Sequence, residues 1–422
     1  MKKTMLSRVY FALLCCCLLF ILNLSNYTRS LRLAAENESP ASVHDKEVDR
    51  PTLQKCKVNA FAFVKNHKCG TMTLTTMFLR SAEEKGLEIA LPNSSSWKLD
   101  WPNPVRNVHP SRKPSQKYDA LVLHAMYDRV TWDRIMEPGY KRISILRSPF
   151  EQFKSFFNFF FVYYIVKWKR DLQNQKTDLS EFDEFLANPS RYVNYMYIPS
   201  KNVQAFNFGF NRSIEETRDE LFEDNFVEKI HKEFDLMLIT DYMNESMVLL
   251  KEEFCWDLPD VLFSMKNDRP YRNFRDKNVA HQLEIEREEK YKKWATLDYK
   301  LFNKFNKTFW LKVRSIKNFE EKLESYQSIL NRVSLFCRKN TKSSALTISE
   351  SENYWKESFQ IDKVFCSRWK LKTYEYVQLL QEKRYGHSEK RDPDNFLRNP
   401  KMMEEFRIGI QKNMQILQKK SL

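Results

Sequence analysis

Glycine is scarce, with six residues in 422. The phosphate-binding spacing GxxxxGK[ST] is absent, which sets aside a magnesium-dependent nucleotide kinase. No CxxC pair or His/Cys spacing suggests zinc, no acidic cluster suggests magnesium, and no repeat organises the chain. Acid is the minority charge. Asp and Glu number 55 against 70 Lys and Arg, leaving a net charge of +15. Such an excess favours anionic partners: a nucleotide, an anionic lipid, an acidic glycan or nucleic acid. A solvated lysine-rich surface accounts for part of it.

Apolar residues are plentiful, at 42%, with 14% aromatics. They suffice for one large domain or two ordinary ones. The run Val9–Leu24 carries no charge and follows Lys2, Lys3 and Arg8. It is shorter than the about 20 apolar residues of an ordinary spanning helix. A cleaved signal peptide is the plainer alternative, but no small-x-small site follows directly. The expectation is an uncleaved signal-anchor over 9–24, with a cytoplasmic tail over 1–8 and a polar lumenal stem over 25–54. The basic residues before the run favour that orientation, while Arg29 and Arg32 beyond it oppose it. A short span suits the thinner membranes of the early secretory pathway.

A lumenal location makes other features readable. Sequons stand at Asn37, Asn93, Asn211, Asn244 and Asn306. Five cysteines follow the apolar run: Cys56, Cys69, Cys255, Cys337 and Cys366. An odd number in an oxidising compartment leaves one unpaired, and Cys69, inside a candidate binding loop, is the choice. The remaining four allow three pairings.

From Lys55 the pattern alternates strands and helices, which predicts an α/β fold with a parallel sheet flanked by helices. Strands are expected at Val58–Lys65, Asp119–His124, Lys141–Leu146 and Phe234–Thr240. Helices are expected at Thr71–Lys85, ending near Gly86, and from Pro149 to about Val166. Another runs through Met247, Leu250 and Phe254. Asn93–Gln116 reads as a long surface loop. From about Val279 the pattern is helical and lysine-rich to the end. The division is a catalytic domain over 55–335 and a helical C-terminal extension over 336–422.

Strand, loop and helix meet at Lys65-Asn66-His67-Lys68-Cys69-Gly70-Thr71-Met72-Thr73. A helix N-terminus offers unpaired backbone N–H groups and the positive end of a dipole, so it attracts anions. Gly70 lets the backbone approach a phosphate, Lys68 adds charge, and Thr71 and Thr73 add hydroxyls that can also cap the helix. The plainer reading is an ordinary strand–helix turn with a surface lysine. A second element is SILRSPFE, from Ser144 to Glu151. Ser148, Pro149 and Glu151 have the spacing of a capping box with proline at the first helical position. Arg147 closes the strand at the carboxyl edge, where open α/β sheets bind ligands, and suits a bidentate grip on phosphate. Ser155 follows two turns along. Structural roles for both are the plainer alternative, an ion pair for Arg147 and packing for Ser155.

These motifs resemble sulfotransferases that use 3′-phosphoadenylyl sulfate, above all the galactose 3-O-sulfotransferases, a family of Golgi type II membrane enzymes. The family's donor loop is similar to Lys-Thr-His-Lys-Thr-Gly-Ser-Ser-Thr, and KNHKCGTMT stands here. Its Ser-Ile-Leu-Arg-x-Pro motif with an aromatic-rich helix matches SILRSP followed by FEQFKSFFNFF. The stretch Phe234–Leu258 and the segment around Trp294, Leu297, Asp298, Tyr299, Phe305, Asn306 and Trp310 resemble family stretches too. The likeness covers Lys55 to about Trp310. It implies a P-loop-like sulfotransferase fold and transfer of a sulfuryl group to a galactose 3-hydroxyl of a glycolipid or glycoprotein glycan. Lys68 would meet the 5′-phosphosulfate and the bridging oxygen. Cys69, Gly70, Thr71, Met72 and Thr73 would form the cradle, and Arg147 and Ser155 would hold the 3′-phosphate. Cys69 and Met72 replace small hydroxyl residues of the family pattern.

A sugar hydroxyl is a weak nucleophile, and a positioned base contributes typically ~10²–10⁴-fold. Histidine suits that task. His124, ending the second strand, is the expected base, with His67 and Lys68 as its catalytic partners and His67 donating to the sulfuryl oxygens; the reverse assignment of the two histidines is the alternative. The family's Cys-His-His-Met-Arg-Phe stands here as LHAMYD, with one histidine and no arginine. No metal is expected, since lysine, histidine and backbone amides can stabilise the transferring group. Trp97, Trp101, Phe157 and Tyr163 are candidates for stacking on the sugar. Membrane anchoring is expected, nucleic acid is not, and a homo-oligomer is compatible with the sequence. Rival readings are sulfation of another sugar, such as a glycosaminoglycan unit, a non-catalytic basic binder of glycan or lipid, and a family member that has lost activity.

Overall fold

The computed structural model describes residues 57–93, 98–160, 162–193, 200–210, 220–265, 281–338 and 344–386. The expected signal-anchor and stem therefore lie outside the described residues, as does Trp97. Among the described residues, in chain order, the first elements are β1 (Phe61–Val64), α1 (Thr71–Glu84), β2 (Ala120–Leu121), α2 (Arg129–Ile135) and β3 (Lys141–Leu146). There follow α3 (Pro149–Phe159), α4 (Val162–Leu172), α5 (Glu181–Ala187), α6 (Val203–Asn207), α7 (Glu220–Glu233), β4 (Leu236–Ile239), α8 (Met243–Phe254) and α9 (Leu258–Val261). The last elements among the described residues are α10 (His281–Trp294), α11 (Thr296–Ser315), α12 (Phe319–Arg338), β5 (Ala345–Ile348), β6 (Phe359–Asp362), α13 (Lys363–Lys370) and α14 (Thr373–Tyr385).

The four strands β1–β4 pair in parallel in the order β2-β1-β3-β4. Every residue of FAFV in β1 and LMLI in β4 is buried, because helices cover the sheet and a strand enclosed on both faces reads as an unbroken apolar run. The chain leaves β1 to one side for β2, then returns to the other side for β3. Between β1 and β3 lies the topological switch point, the place where ligands of open parallel sheets bind. The loops after β1 and β3 both open there.

Four expectations are corrected. Only Ala120 and Leu121 of the second strand pair with β1. Beyond them the chain turns to the 98–101 segment, where Leu99 N donates to His124 O at 2.7 Å. That segment belongs to the stretch expected as a surface loop, yet Leu99, Trp101 and Val105 are buried, because their apolar side chains line the site and core. The helix expected from Pro149 to Val166 is two helices, α3 and α4. The C-terminal region is not wholly helical, since β5 and β6 form an antiparallel hairpin. Its short alternating runs ALTI and FQID are easily masked by lysine-rich neighbours. A disulfide joins Cys337 to Cys366, Cys255 is disulfide-bonded too, and among the described residues Cys69 is the free cysteine, as expected, and is buried.

Candidate active site

The loop after β1 is built from inside. Asn66 Nδ2 donates to Ile145 O (3.0 Å), pinning the loop to β3. Thr71 Oγ1 donates back to Asn66 O at 3.0 Å, so this hydroxyl closes the loop instead of capping the helix as expected. The N-cap is Gly70 itself, in the left-handed region (φ 68°) with no side-chain cap. A Cβ there would lie 2.9 Å from Met243 Cε, a flexible tip that can give way, so it is the left-handed conformation that calls for glycine. Lys68 also has positive φ (63°), and its ammonium sits 3.9 Å over the Phe159 ring. Lys65 is 1% exposed, with Nζ 3.3 Å from Met72 Sδ. Cys69 and Thr73 are buried, and Gly70 and Met72 half-buried.

Two histidines meet beside this loop. The rings of His67 and His124 stack with centroids 4.7 Å apart, and Trp101 lies 4.7 Å from His67 on another side. His67 is 7% and His124 5% exposed. Burial, reinforced by Lys98 and Lys65, pulls the His67 pKa down to about 3. Burial, then Lys65, His67 and Lys98, takes His124 well below its ordinary value as well. Burial first and Lys98 second bring Lys65 down to about 7. A bound anion would oppose each of these shifts, since it favours the cationic forms.

The tautomer of His67 follows from its partner. Asn207 Oδ1 lies 3.1 Å from His67 Nδ1 and 3.3 Å from Trp101 Nε1, while Asn207 Nδ2 donates to Val203 O at 2.8 Å. An indole N–H only donates, so the shared Asn207 atom is the oxygen and His67 Nδ1 carries the hydrogen. Nε2 then holds a lone pair. In this neutral tautomer Nε2 accepts, and the part expected for His67, donating to sulfuryl oxygens, belongs to the imidazolium form.

The second element stands across the switch point. Arg147 Nη1 donates to Lys68 O at 3.3 Å, which brings the two motifs together. The guanidinium also reaches Glu151 at 3.7 Å, and Glu151 takes Lys154 at 2.5 Å. The expected capping box does not form: Ser148 makes no side-chain cap. Its N–H donates instead to Asp241 Oδ2 at 2.9 Å. Ser155 lies on α3 beyond Glu151 and is 2% exposed, much less open than Arg147. Of the expected sugar-stacking aromatics, Trp101 borders the histidines, whereas Phe157 is fully buried in the aromatic core and Tyr163 packs against it.

Sequence reasoning missed a clamp. Gln204 Oε1 accepts from Arg147 N at 3.0 Å and Cys69 Sγ at 3.4 Å, while its Nε2 donates to Arg147 O at 2.9 Å. Gln204 and Asn207 share α6. The fully buried Asp298 carboxylate accepts the N–H groups of Gln204 (3.0 Å) and Ala205 (2.8 Å) at its start. Thr240 Oγ1 donates to Cys69 O and Leu146 O, both at 3.0 Å, and Gln152 Nε2 to His67 O at 2.8 Å. The available signal was two amides three apart in an otherwise apolar run, VQAFNF. Lys98 was missed too. Among the described residues, no group of three or more His, Cys, Asp or Glu is placed to hold a metal.

A sequence model described as galactose-3-O-sulfotransferase matches residues 1–344. The chain belongs to the galactose-3-O-sulfotransferase family. Among similar proteins, galactose-3-O-sulfotransferase 2 of Mus musculus is 27% identical over 314 residues, 71% of this chain and 75% of that protein. Galactosylceramide sulfotransferase of Mus musculus is 28% identical over 263 residues, 60% of this chain and 57% of that protein. Galactose-3-O-sulfotransferase 3 of Bos taurus is 29% identical over 260 residues, 60% and 57% of the two chains. The matched part thus spans less than two thirds of the latter two relatives. In this galactose-3-O-sulfotransferase family chain the cradle, both histidines, Arg147 and the α6 clamp all lie inside the family match, whereas β5, β6, α13 and α14 lie beyond it.

Proposed function

We propose that this chain transfers a sulfuryl group from 3′-phosphoadenylyl sulfate to the 3-hydroxyl of a galactose on a glycolipid or glycoprotein glycan. One observation carries the reading. A glycine-capped helix start, the side chains of Lys65, Lys68 and Arg147, and a histidine whose Nδ1 hydrogen is held by Asn207 come together where the loops after β1 and β3 meet. Family membership and the names of the relatives support the same chemistry.

The donor supplies sulfur bound through a bridging oxygen to the 5′-phosphate. The acceptor oxygen forms its bond to sulfur as the bridging bond breaks. The electron pair departs with the bridging oxygen, where Lys68 and the α1 amides stabilise the growing charge. The hydroxyl proton goes to a neutral imidazole. We assign that role to His67 Nε2, because Asn207 fixes its tautomer, and give the stacked His124 the task of holding the ring. Trp101 borders the histidines and serves as the sugar platform. Arg147 grips the 3′-phosphate, with Ser155 behind it. No metal takes part in this scheme.

We place the protein at the Golgi membrane as a single-pass type II chain with a lumenal catalytic domain. The run Val9–Leu24 supports this, as does the Cys337–Cys366 disulfide, which fits an oxidising compartment. The test is transfer of labelled sulfate from 3′-phosphoadenylyl sulfate to galactosylceramide, N-acetyllactosamine and a glycosaminoglycan. Labelling of a galactoside that disappears in Lys68→Ala is expected. Labelling of the glycosaminoglycan alone would replace the acceptor, and absence of both donor binding and labelling would sink the enzyme reading.

A further inference from the structure

Residues 345–386 lie outside the family match, yet they pack along α1, the helix that starts at the cradle. Near the far end of α1, Arg80 is 2% exposed and its guanidinium lies 4.2 Å over the Phe365 ring of α13. Three residues on, Glu83 collects three groups of the extension. Arg368 reaches it through Nε at 3.0 Å and Nη2 at 3.3 Å, Tyr376 through its hydroxyl at 2.7 Å, and Lys383 at 3.1 Å. At the cradle end, Thr373, the first residue of α14 and fully buried, points Oγ1 at Met72 Sδ, 3.6 Å away. The same sulfur lies 3.3 Å from Lys65 Nζ. The extension therefore holds α1 at both ends, and at the cradle end it does so through the residue that also touches the buried lysine. The Cys337–Cys366 disulfide ties α13, and hence this grip, to α12.

We propose that the C-terminal extension is a working part of the donor site, with Thr373 as a positioning residue that acts through Met72 on Lys65 and the cradle. The proposal rests on the sulfotransferase reading. Its physical basis is that cradle amides and a buried ammonium stabilise an anion only when held within about 0.5 Å of their working positions by packed neighbours. Met72 has a flexible side chain, so its rotamer is set by what it touches. Removing the Thr373 hydroxyl frees the sulfur to turn and Lys65 to follow, while the fold keeps its shape because valine fills the same space.

The experiment measures binding of 3′-phosphoadenosine 5′-phosphate by calorimetry and steady-state kinetics in Thr373→Val, Thr373→Ser and Arg332→Ala, using the whole lumenal protein. Arg332 pairs with Glu352 on the surface and is the control. Thr373→Val is expected to weaken nucleotide binding and raise the donor KM about three- to fivefold, the size of one lost hydrogen bond. Acceptor KM, kcat at saturating donor and melting temperature stay at wild-type values, and Thr373→Ser restores the donor KM. Wild-type protein that binds no nucleotide would refute the sulfotransferase reading and this one with it. A wild type that binds while Thr373→Val binds equally well overturns this inference alone. So does a loss spread evenly over melting temperature and both KM values, which marks a merely structural residue.

Discussion

The side-chain oxygen of Asn207 accepts the Nδ1 hydrogen of His67 at 3.1 Å, and this one bond decides which nitrogen of the ring is basic. Asn207 in turn stands on α6, whose first amides are held by Asp298. A carboxylate on α11 thus sets the tautomer of a histidine after β1. Asn207→Leu removes the acceptor and lets the ring adopt the other tautomer or turn. The expected result is a kcat lowered by about 10- to 100-fold, part of what a positioned base contributes. The donor KM should be nearly unchanged, since the cradle is untouched. A kcat within twofold of wild type would remove His67 from the proton path. His124→Ala then decides whether the stacked ring takes its place.

Gly70 offers a sharper test of the cradle. Alanine there has to adopt φ near 68° and put its Cβ 2.9 Å from Met243 Cε. The methionine tip can swing aside, so the steric cost is modest, and the left-handed backbone adds about 1 kcal/mol. The protein should fold with a slightly lower melting temperature. Nucleotide binding should fall by about tenfold or more, because the α1 amides shift from the anion. Pairing Gly70→Ala with Met243→Ala separates the two effects. If the double variant binds as wild type, contact was the cause; if it stays weak, backbone conformation was.

Much of this site was legible in the sequence because it is local. The βα turn KNHKCGTMT and the strand end SILRSP carry their chemistry within a few residues, so Lys68, Gly70 and Arg147 could be named before any fold was known. What stayed hidden is long-range. Gln204 and Asn207 lie about 60 and 140 residues from the groups they clamp, and amides in an apolar run look like ordinary surface residues of a short helix. Ser148 shows the opposite failure: a local capping signature lost to Asp241, a tertiary partner 93 residues away. The hairpin β5–β6 was missed because two four-residue strands among lysine-rich helices give little periodicity.

The Cys337–Cys366 bond closes a loop with a sequence separation of 29 residues. In the chain-entropy account such a crosslink stabilises by about 3–4 kcal/mol. Replacing both cysteines by alanine should lower the melting temperature measurably. Because α13 carries Phe365 and Arg368 against α1, nucleotide binding should weaken in parallel with the loss of order in the extension. Thermal melts with and without 3′-phosphoadenosine 5′-phosphate check both parts. A variant that melts lower while binding nucleotide with wild-type affinity at a temperature where it is folded would uncouple the disulfide from the donor site.

Lys65 sets a pH dependence whose sign can be worked out. Burial brings its folded pKa from 10.5 to about 7. Between those values the unfolded chain holds a proton that the folded chain has released, so unfolding takes up protons and stability rises with pH across that window. Below about 7 both states are protonated, and the folded state bears the full cost of a buried ammonium. Lys65→Met removes both features. It should be more stable than wild type at pH 7, by about 1 kcal/mol or more, and the difference should shrink as pH climbs toward 10. The same variant should bind 3′-phosphoadenosine 5′-phosphate poorly, because an anion beside Lys65 favours the ammonium form. Wild-type protein should then take up protons on binding the nucleotide at pH 8, visible as a dependence of the calorimetric enthalpy on buffer ionisation. Chemical denaturation of both proteins from pH 6.5 to 10 makes the comparison. Parallel stability curves would show that Lys65 keeps its charge in the fold, and the electrostatic account of the site would then rest on Lys68 and Arg147 alone.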